Sequence, residues 1–230
     1  MTRRLLVPVV IVAALAFGAP PPASAQSIAV HLGGFTPRAE DARVAGDVLF
    51  ENLNYLLFDI NDFKGFYLAG DFLLEVSRNL EVGVGVGFYQ RSVPSVDRDF
   101  VNEDGSEIEQ QLKLRIVPVN ITARFLPMGN RGAFQPYVGA GIGLLAYRYS
   151  ETGQFVDYDT YDIYRESYVA NGMAAGPVIL GGVRVPVGRR TAIGGEIRYQ
   201  RGSADIGSDF WGEKLDLGGM SYSFTLTFRY

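Results

Sequence analysis

The last twelve residues of the sequence, 219–230, read GMSYSFTLTFRY and carry its clearest structural pattern. Every second residue from Met220 to Tyr230 is apolar or aromatic, and every second residue from Ser221 to Arg229 is polar. Because successive side chains of a β-strand point to opposite faces, this alternation predicts a strand with one apolar and one polar face. An aromatic residue in the last position is typical of a girdle at a membrane boundary.

Seven earlier segments show the same alternation of apolar and polar residues. In one of them, one face runs from Leu80 to Phe88 through valines, and the other face carries Gly83, Gly85 and Gly87. A row of small residues is typical of the interior of a narrow barrel, where it makes room for larger side chains opposite. The seven segments are residues 28–36, 66–76, 80–91, 112–125, 136–149, 177–187 and 192–200.

Two segments are irregular. In residues 112–125 the apolar residues change from even to odd positions near Pro118, and we predict a β-bulge at residues 116–118 to absorb this slip. In residues 177–187, Pro177 and Pro186 are unfavourable for a fully paired strand because proline has no N–H donor.

The connections between the segments alternate in length. Residues 77–79, 126–134 and 188–190 are short or moderate, whereas residues 37–64, 93–108, 150–167 and 201–215 are long and polar. Outer-membrane barrels have short periplasmic turns and long external loops, with an even number of strands. We therefore expect both ends of the barrel domain to lie on the periplasmic side.

Composition narrows the class of protein. The 230 residues include 28 Gly, 13 Tyr and 15 Phe but no Cys, which excludes disulfide scaffolds and thiolate metal sites. The formal net charge of −4 argues against a nucleic-acid partner, since phosphate binding requires a basic surface.

The first 25 residues have the features of a cleaved signal peptide. Arg3 and Arg4 precede an apolar run over residues 5–17, and Ala23 and Ala25 supply the small residues that a signal peptidase reads. The run is shorter than the roughly 20 apolar residues of a spanning helix. We predict cleavage after Ala25, which leaves a barrel domain of residues 26–230.

Alternation alone leaves open a soluble barrel, in which the apolar faces point inward. The glycine rows, the aromatic terminus and the alternating connection lengths favour the membrane, where only a closed sheet leaves no unpaired backbone edge. The sequence therefore predicts an all-β fold, a closed eight-stranded antiparallel transmembrane β-barrel with short periplasmic turns and long external loops.

The chain resembles the small outer-membrane β-barrel family that includes the outer membrane protein A barrel, its X-type relatives and the opacity proteins. The resemblance covers residues 26–230 and rests on residues 30–35 (VHLGGF), 80–88 (LEVGVGVGF), 135–141 (QPYVGAG) and 223–230 (SFTLTFRY). It implies location in the outer membrane, outer-membrane lipids as neighbours and the barrel assembly machinery as a partner during biogenesis. It also implies that the C-terminal signature is the signal this machinery recognises, carried by Tyr222, Phe224, Leu226, Phe228 and Tyr230.

The charges expected on the inner face are the first candidate site. An eight-stranded lumen holds side chains rather than an open pore, and an unpaired buried charge is costly, so we expect a salt-bridged structural network. The alternative is a gated path for small or apolar solutes through rearranging ion pairs. The predicted network comprises Asp71, Glu75, Glu81, Arg91, Arg124, Arg184, Glu196, Arg198 and Arg229.

Two further features bear on function. His31, the only histidine, would serve a lipid-modifying outer-membrane enzyme if a serine and a carboxylate lay beside it, but no partner motif is recognisable and we expect a polar lumen residue. The long loops carry clusters of carboxylates, whose spacing matches no calcium loop, and aromatic residues that suit either an adhesive surface or a belt at the lipid headgroups. The carboxylates are Asp97, Asp99, Glu103, Asp104, Glu107 and Glu109, then Asp157, Asp159, Asp162 and Glu166, and the aromatic residues are Tyr158, Tyr161, Tyr164, Phe210 and Trp211. We therefore expect a non-enzymatic barrel, structural or surface-interacting through its loops, with no catalytic residue, metal or cofactor and with its extracellular ligand unidentified.

Overall fold

The computed structural model describes residues 26–230, so the predicted signal peptide lies outside the described residues. Within residues 26–230, no helix is long and apolar enough to cross a membrane. The elements in chain order are β1 (Gln26–Pro37), α1 (Val48–Asn52), β2 (Leu56–Leu57), β3 (Gly65–Ser77), β4 (Leu80–Val101), β5 (Glu107–Phe125), β6 (Gln135–Val156), β7 (Ile163–Pro186), β8 (Thr191–Gln200), β9 (Ser203–Asp205), β10 (Lys214–Asp216) and β11 (Gly219–Arg229).

Eight of these strands close into a ring. The order around the ring is β4-β3-β1-β11-β8-β7-β6-β5, and the pairing of β4 with β5 closes it. Every pair is antiparallel, and β1 pairs with β11, so the two ends of the barrel domain lie side by side. The predicted closed eight-stranded antiparallel β-barrel is confirmed.

The outer surface carries a lipid-facing band with a sharp upper edge. Phe88, Val117, Ala146 and Met173 form one row across β4 to β7, and rows below it are apolar on the outside. The next outward row above is polar throughout: Gln90, Arg115, Arg148 and Asn171. Because a charged side chain on the lipid face is destabilising, the outer edge of the hydrocarbon region lies between these two rows.

The predicted bulge in β5 is wrong. Inward and outward residues alternate without interruption from Glu107 to Phe125, and the pairing with β6 keeps one register from Gln110 to Phe125. The apolar residues change phase at residues 116–118 because the strand leaves the membrane there. Below Val117 the outer face is apolar, whereas above it the inner face is apolar and the outer face carries Lys113 and Arg115.

Two of the predicted long loops are mostly strand. β4 and β5 continue as a hairpin to a turn at residues 102–106, and β6 and β7 continue to a turn at residues 157–162. Their polar residues resemble a loop in the sequence because they face water on the outside. The prediction that β7 begins near Pro177 is wrong for the same reason, since β7 begins at Ile163.

The two hairpins and the two remaining loops form what we call the extracellular head. Loop 1 (residues 38–64, containing α1 and β2) and loop 4 (residues 201–218, containing β9 and β10) fold over the inner face of the hairpins. Val48 and Leu49 of loop 1 and Leu215 of loop 4 are fully buried against inward residues such as Leu112. The head is therefore packed like a soluble domain, with an apolar inside and a polar outside.

Two buried carboxylates tie loop 1 to loop 4. Asp47 caps α1 by accepting from the amide of Phe50 (3.2 Å), pairs with Arg43 and accepts from the amide of Asp216 (2.6 Å). Asp216 in turn accepts from Nη1 of Arg38 at 2.8 Å. Since both loops are held by buried polar bonds, the mouth of the barrel is covered by ordered chain.

Candidate functional site

The lumen contains a compact charged cluster that we call the lumen network, formed by His31, Asp71, Arg124, Glu196 and Arg198. All five side chains are at least nine-tenths buried. Nη2 of Arg198 donates to Oδ2 of Asp71 at 2.7 Å and to Oε1 of Glu196 at 2.8 Å. Nη2 of Arg124 pairs with Asp71 and lies 3.2 Å from Oε2 of Glu196. Each carboxylate therefore faces two guanidinium groups.

Inward glycines make room for this cluster. Gly85 lies opposite Asp71 in the β3–β4 register, and a Cβ on Gly85 would overlap with Oδ1 of Asp71. Gly87 lies opposite Ala69, and a Cβ on Gly87 would come too close to the hydroxyl of Tyr67, at 2.6 Å. The row of glycines seen in the sequence thus accommodates the large polar side chains of the neighbouring strand.

A second ion pair lies toward the periplasmic end. Arg184 donates to both oxygens of Glu81, at 3.2 and 2.7 Å, and both side chains are buried. The ring of Tyr137 lies between the two groups, with the guanidinium carbons of Arg124 and Arg184 at 5.3 and 5.4 Å from its centroid. Tyr137 was not predicted as a site residue, although it is the bulky residue that precedes three inward glycines, Gly139, Gly141 and Gly143.

Three predicted charges belong neither to the lumen network nor to the Glu81–Arg184 pair. Glu75 is half-buried at the periplasmic end, and Arg229 donates there to Oε1 of Gln135 at 2.5 Å. Arg91 is exposed in the head, where it donates to the carbonyl of Asp62 at 2.8 Å. Arg91 is one of the inward positions of β4, but this part of β4 lies above the membrane.

The residues of the C-terminal signature lie on the lipid side of β11. Tyr222, Phe224, Phe228 and Tyr230 are exposed on the outer surface, and Leu226 is half-buried. They face outward while the polar residues between them face the lumen, as the alternation predicts.

His31 lies between a serine and an aspartate. Its Nε2 is 3.1 Å from Oδ2 of Asp71, and its Nδ1 is 3.4 Å from Oγ of Ser223. Ser223 and Glu196 also line a groove of about 560 Å³ on the outside of the wall, where Gly33 and Gly182 make the wall thin. No partner for His31 was recognisable in the sequence. The pairing of β1 with β11 and with β3 brings Ser223 and Asp71 beside it.

A second candidate site lies in the head, in a cavity of about 310 Å³ that we call the aromatic cup. The rings of Tyr55 and Trp211 in its lining stack with centroids 4.5 Å apart, and the centroids of Phe155 and Tyr168 lie 5.0 Å apart. The aromatic side chains around the cavity are Tyr55, Phe155, Tyr158, Tyr164, Tyr168, Phe210 and Trp211.

Besides hydroxyl groups, the polar side chains that line the cup are amides and carboxylates. Asn52 and Glu151 line its buried end, with Nδ2 of Asn52 donating to Oε1 of Glu151 at 2.6 Å. Asp97 and Asp209 are also in the lining. Burial, followed by the charge on Asp97, raises the pKa of Tyr158 to about 12, so this phenol is neutral at physiological pH.

The structure brings together only part of the predicted loop residues. Tyr158, Tyr164, Phe210 and Trp211 meet in the cup, whereas Tyr161 lies outside it against Phe100, with centroids 5.9 Å apart. Of the acidic residues predicted to cluster in the β4–β5 and β6–β7 connections, only Asp97 is buried. These residues are Asp97, Asp99, Glu103, Asp104, Glu107 and Glu109 in the first connection and Asp157, Asp159, Asp162 and Glu166 in the second.

The closed ring, the lipid-facing band and the packed head are those of a small outer-membrane β-barrel protein. No protein-family model and no curated protein sequence matches the chain. Among solved structures it is similar to the outer membrane protein OprG from Pseudomonas aeruginosa, with 13% identity, a TM-score of 0.52, and coverage of 90% of this chain and 96% of that one. Neisserial surface protein A is similar at 12% identity and a TM-score of 0.45, covering 90% and 96%. Outer Membrane Protein W of E. coli is similar at 14% identity and a TM-score of 0.41, covering 91% and 100%. At 13% identity the likeness to OprG shows the fold alone.

Proposed function

We propose that this outer-membrane barrel is non-enzymatic, does not conduct, and acts by binding a ligand at the cell surface with its extracellular head. The observation that carries the proposal is the filling of the lumen at two levels. The lumen network and the Glu81–Arg184 pair occupy the part within the membrane. Above them, loop 1 and loop 4 fill the mouth with a buried apolar core.

The ion pairs make a gated path energetically expensive. Opening the lumen requires separating Asp71 and Glu196 from Arg124 and Arg198, which would leave buried charges unpaired. Breaking one buried pair by removing a partner costs about 3–5 kcal/mol. Because each carboxylate here contacts two guanidinium groups, the separation of the whole cluster costs more than that.

Conductance in planar lipid bilayers tests this proposal. We expect no conductance steps from the refolded wild-type protein, under conditions where a general porin inserted in the same bilayer gives clear steps. A parallel solute-swelling assay in liposomes should show no uptake of a small sugar. Reproducible single-channel steps, or uptake faster than in protein-free liposomes, would show that the lumen conducts and would refute the proposal.

The contact of His31 with Ser223 and Asp71 favours a second candidate function, a lipid-modifying enzyme acting through the thin wall. Three features oppose it. In a serine–histidine–aspartate triad the serine bonds Nε2 of the histidine, whereas here Ser223 lies beside Nδ1 and Asp71 lies beside Nε2. Asp71 is already neutralised by two arginines. His31 is also almost fully buried inside the barrel, where lipid outside the wall does not contact it.

The two candidates separate in one assay. Purified protein is incubated with outer-membrane lipids, and released or transferred acyl chains are measured by mass spectrometry. We expect no turnover by the wild-type protein or by His31→Ala. Turnover that is lost in both His31→Ala and Ser223→Ala would establish the enzyme and end the proposal of a non-enzymatic barrel.

A further inference from the structure

The buried carboxylates of this protein differ in whether a cation accompanies them. In residues 26–230, seven carboxylate side chains are buried: Asp47, Asp71, Glu81, Asp97, Glu151, Glu196 and Asp216. Five of them pair with arginine, and the two without an ion pair in the described chain are Asp97 and Glu151. Both of these line the aromatic cup.

The cup provides no positive charge of its own. None of the residues that line it is Lys or Arg, and Asp209 adds a third carboxylate at its exposed side. A buried carboxylate is costly unless a counter-charge accompanies it. Within the cup, a bound cation would supply that counter-charge.

The walls of the cup select the kind of cation. Aromatic faces attract organic cations through the ring quadrupole, and cages of such rings bind quaternary ammonium groups. A calcium ion instead requires six to eight oxygen ligands around one point. In the described chain, the carboxylates of Asp97, Glu151 and Asp209 do not come together as such a group. The volume of about 310 Å³ suits a small ligand, at the lower end of the range for binding pockets.

The hydrogen bonds already made in the cup favour a cation without N–H donors. Oε1 of Glu151 accepts from Asn52 at 2.6 Å and from the hydroxyl of Tyr149 at 2.8 Å. Oδ1 of Asp97 accepts from the amides of Asp99 and Phe100, both at 3.0 Å. One oxygen of each carboxylate is therefore already occupied by hydrogen bonds. The site attracts a ligand through its negative charge and its aromatic surface more than through free hydrogen-bond acceptors.

We propose that the aromatic cup binds a small organic cation with a quaternary ammonium group, held by Glu151 and Asp97 and by the rings of Tyr55, Phe155 and Trp211. This inference rests on the proposed function, because it names the class of ligand that the extracellular head recognises.

The fluorescence of Trp211 tests the proposal directly, since Trp211 is the only tryptophan of the chain and lines the cup. The full mature protein is refolded in alkyl maltoside micelles, because phosphocholine detergents would carry the proposed group. Choline and tetramethylammonium chloride are titrated at constant ionic strength against sodium chloride. We expect saturable quenching with a dissociation constant on the order of 1 mM or tighter.

Matched probes and variants identify the source of the signal. The uncharged isostere of choline, 3,3-dimethylbutan-1-ol, should bind roughly tenfold more weakly, and Glu151→Gln should weaken choline binding by a similar factor. Glu109→Gln on the outer face of β5, outside the cup, is the control and should bind as the wild type does. If Glu151→Gln does not refold, the exposed Asp209→Asn replaces it and should also weaken binding.

Three outcomes would overturn the proposal. The first is the absence of saturable quenching by choline and tetramethylammonium. The second is equal binding of the uncharged isostere, which would make the cup an apolar pocket. The third is quenching by arginine amide without quenching by choline, which would assign the cup to a basic side chain of a protein partner. If one of these outcomes is found and the bilayers show no conductance, the quaternary ammonium ligand is ruled out. The proposed function, a non-conducting barrel that binds a ligand with its head, is then not refuted.

Discussion

At the scale of single residues, inward glycines and inward charges depend on each other. The carboxylate of Asp71, which pairs with two arginines, occupies space that Gly85 leaves free on the neighbouring strand. A glycine in a strand normally weakens it, since glycine loses more conformational freedom on folding than other residues. Here the ion pairs that the glycine permits offset that cost.

Replacing Gly85 by alanine should therefore destabilise the barrel by about 1–3 kcal/mol, because the added methyl group forces the Asp71 carboxylate out of place. The measurement is urea unfolding in lipid vesicles followed by gel mobility of unboiled samples. Gly70→Ala is the matched control, since the nearest atom to its added Cβ is a backbone oxygen at 3.9 Å, and it should fall within roughly 0.5 kcal/mol of the wild type. Equal effects of the two variants would contradict this account.

The Glu81–Arg184 pair offers a test of the buried charges away from the lumen network. Arg184→Met leaves Glu81 buried without its partner and should cost about 3–5 kcal/mol of unfolding free energy. The double variant Glu81→Gln with Arg184→Met should recover most of this loss, as a double-mutant cycle measures. A double variant no more stable than Arg184→Met would show that the pair is not coupled.

At the scale of the elements, a single strand can have the residue pattern of a membrane barrel along one part and that of a soluble protein along another. The outward residues of β5 change from Ile121 and Val119 to Arg115 and Lys113 without any change in backbone register. The alternation predicted the strand, but its phase change was misinterpreted as a bulge, because sequence alone does not say where the surrounding solvent changes. The same uncertainty made the polar ends of the two hairpins look like loops.

A charge placed on each part of β5 locates this boundary. Ile121→Arg puts a charge on the lipid face and should cost roughly 2–4 kcal/mol, depending on its depth. Gln111→Arg puts the same charge on the same face of the same strand above the membrane, and should change stability by about 0.5 kcal/mol or less. Unfolding in vesicles measures both, and a large loss for Gln111→Arg would place the membrane edge above residue 111.

At the scale of the whole molecule, the barrel wall is uneven in height. β1, β8 and β11 end near the membrane, whereas the β4–β5 and β6–β7 hairpins rise above it. Loops 1 and 4 leave from the low side and pack against the apolar inner face of the high side. The aromatic cup therefore forms between loops and hairpins that are far apart in sequence.

This arrangement explains how much the sequence predicts. Strand number, closure and the inner and outer faces follow from local alternation, so they are predictable. The inward charges are predictable as a set, but their partners depend on cross-strand register, as the contact of His31 with Ser223 shows. The cup was not predicted, because Trp211, Tyr55 and Glu151 come together only through the tertiary packing of the head.

Labelling of single cysteines tests whether the closed barrel lies in the outer membrane with its head outside. The sequence contains no cysteine, so each introduced thiol is the only one. Asp159→Cys lies in the β6–β7 turn of the head and Arg189→Cys in a turn at the opposite end, and both positions are exposed. With a membrane-impermeant maleimide, we predict labelling of Asp159→Cys on intact cells and of Arg189→Cys only after the outer membrane is permeabilised. Labelling of Arg189→Cys on intact cells, or protection of Asp159→Cys, would contradict the placement of the barrel in the outer membrane with its head outside.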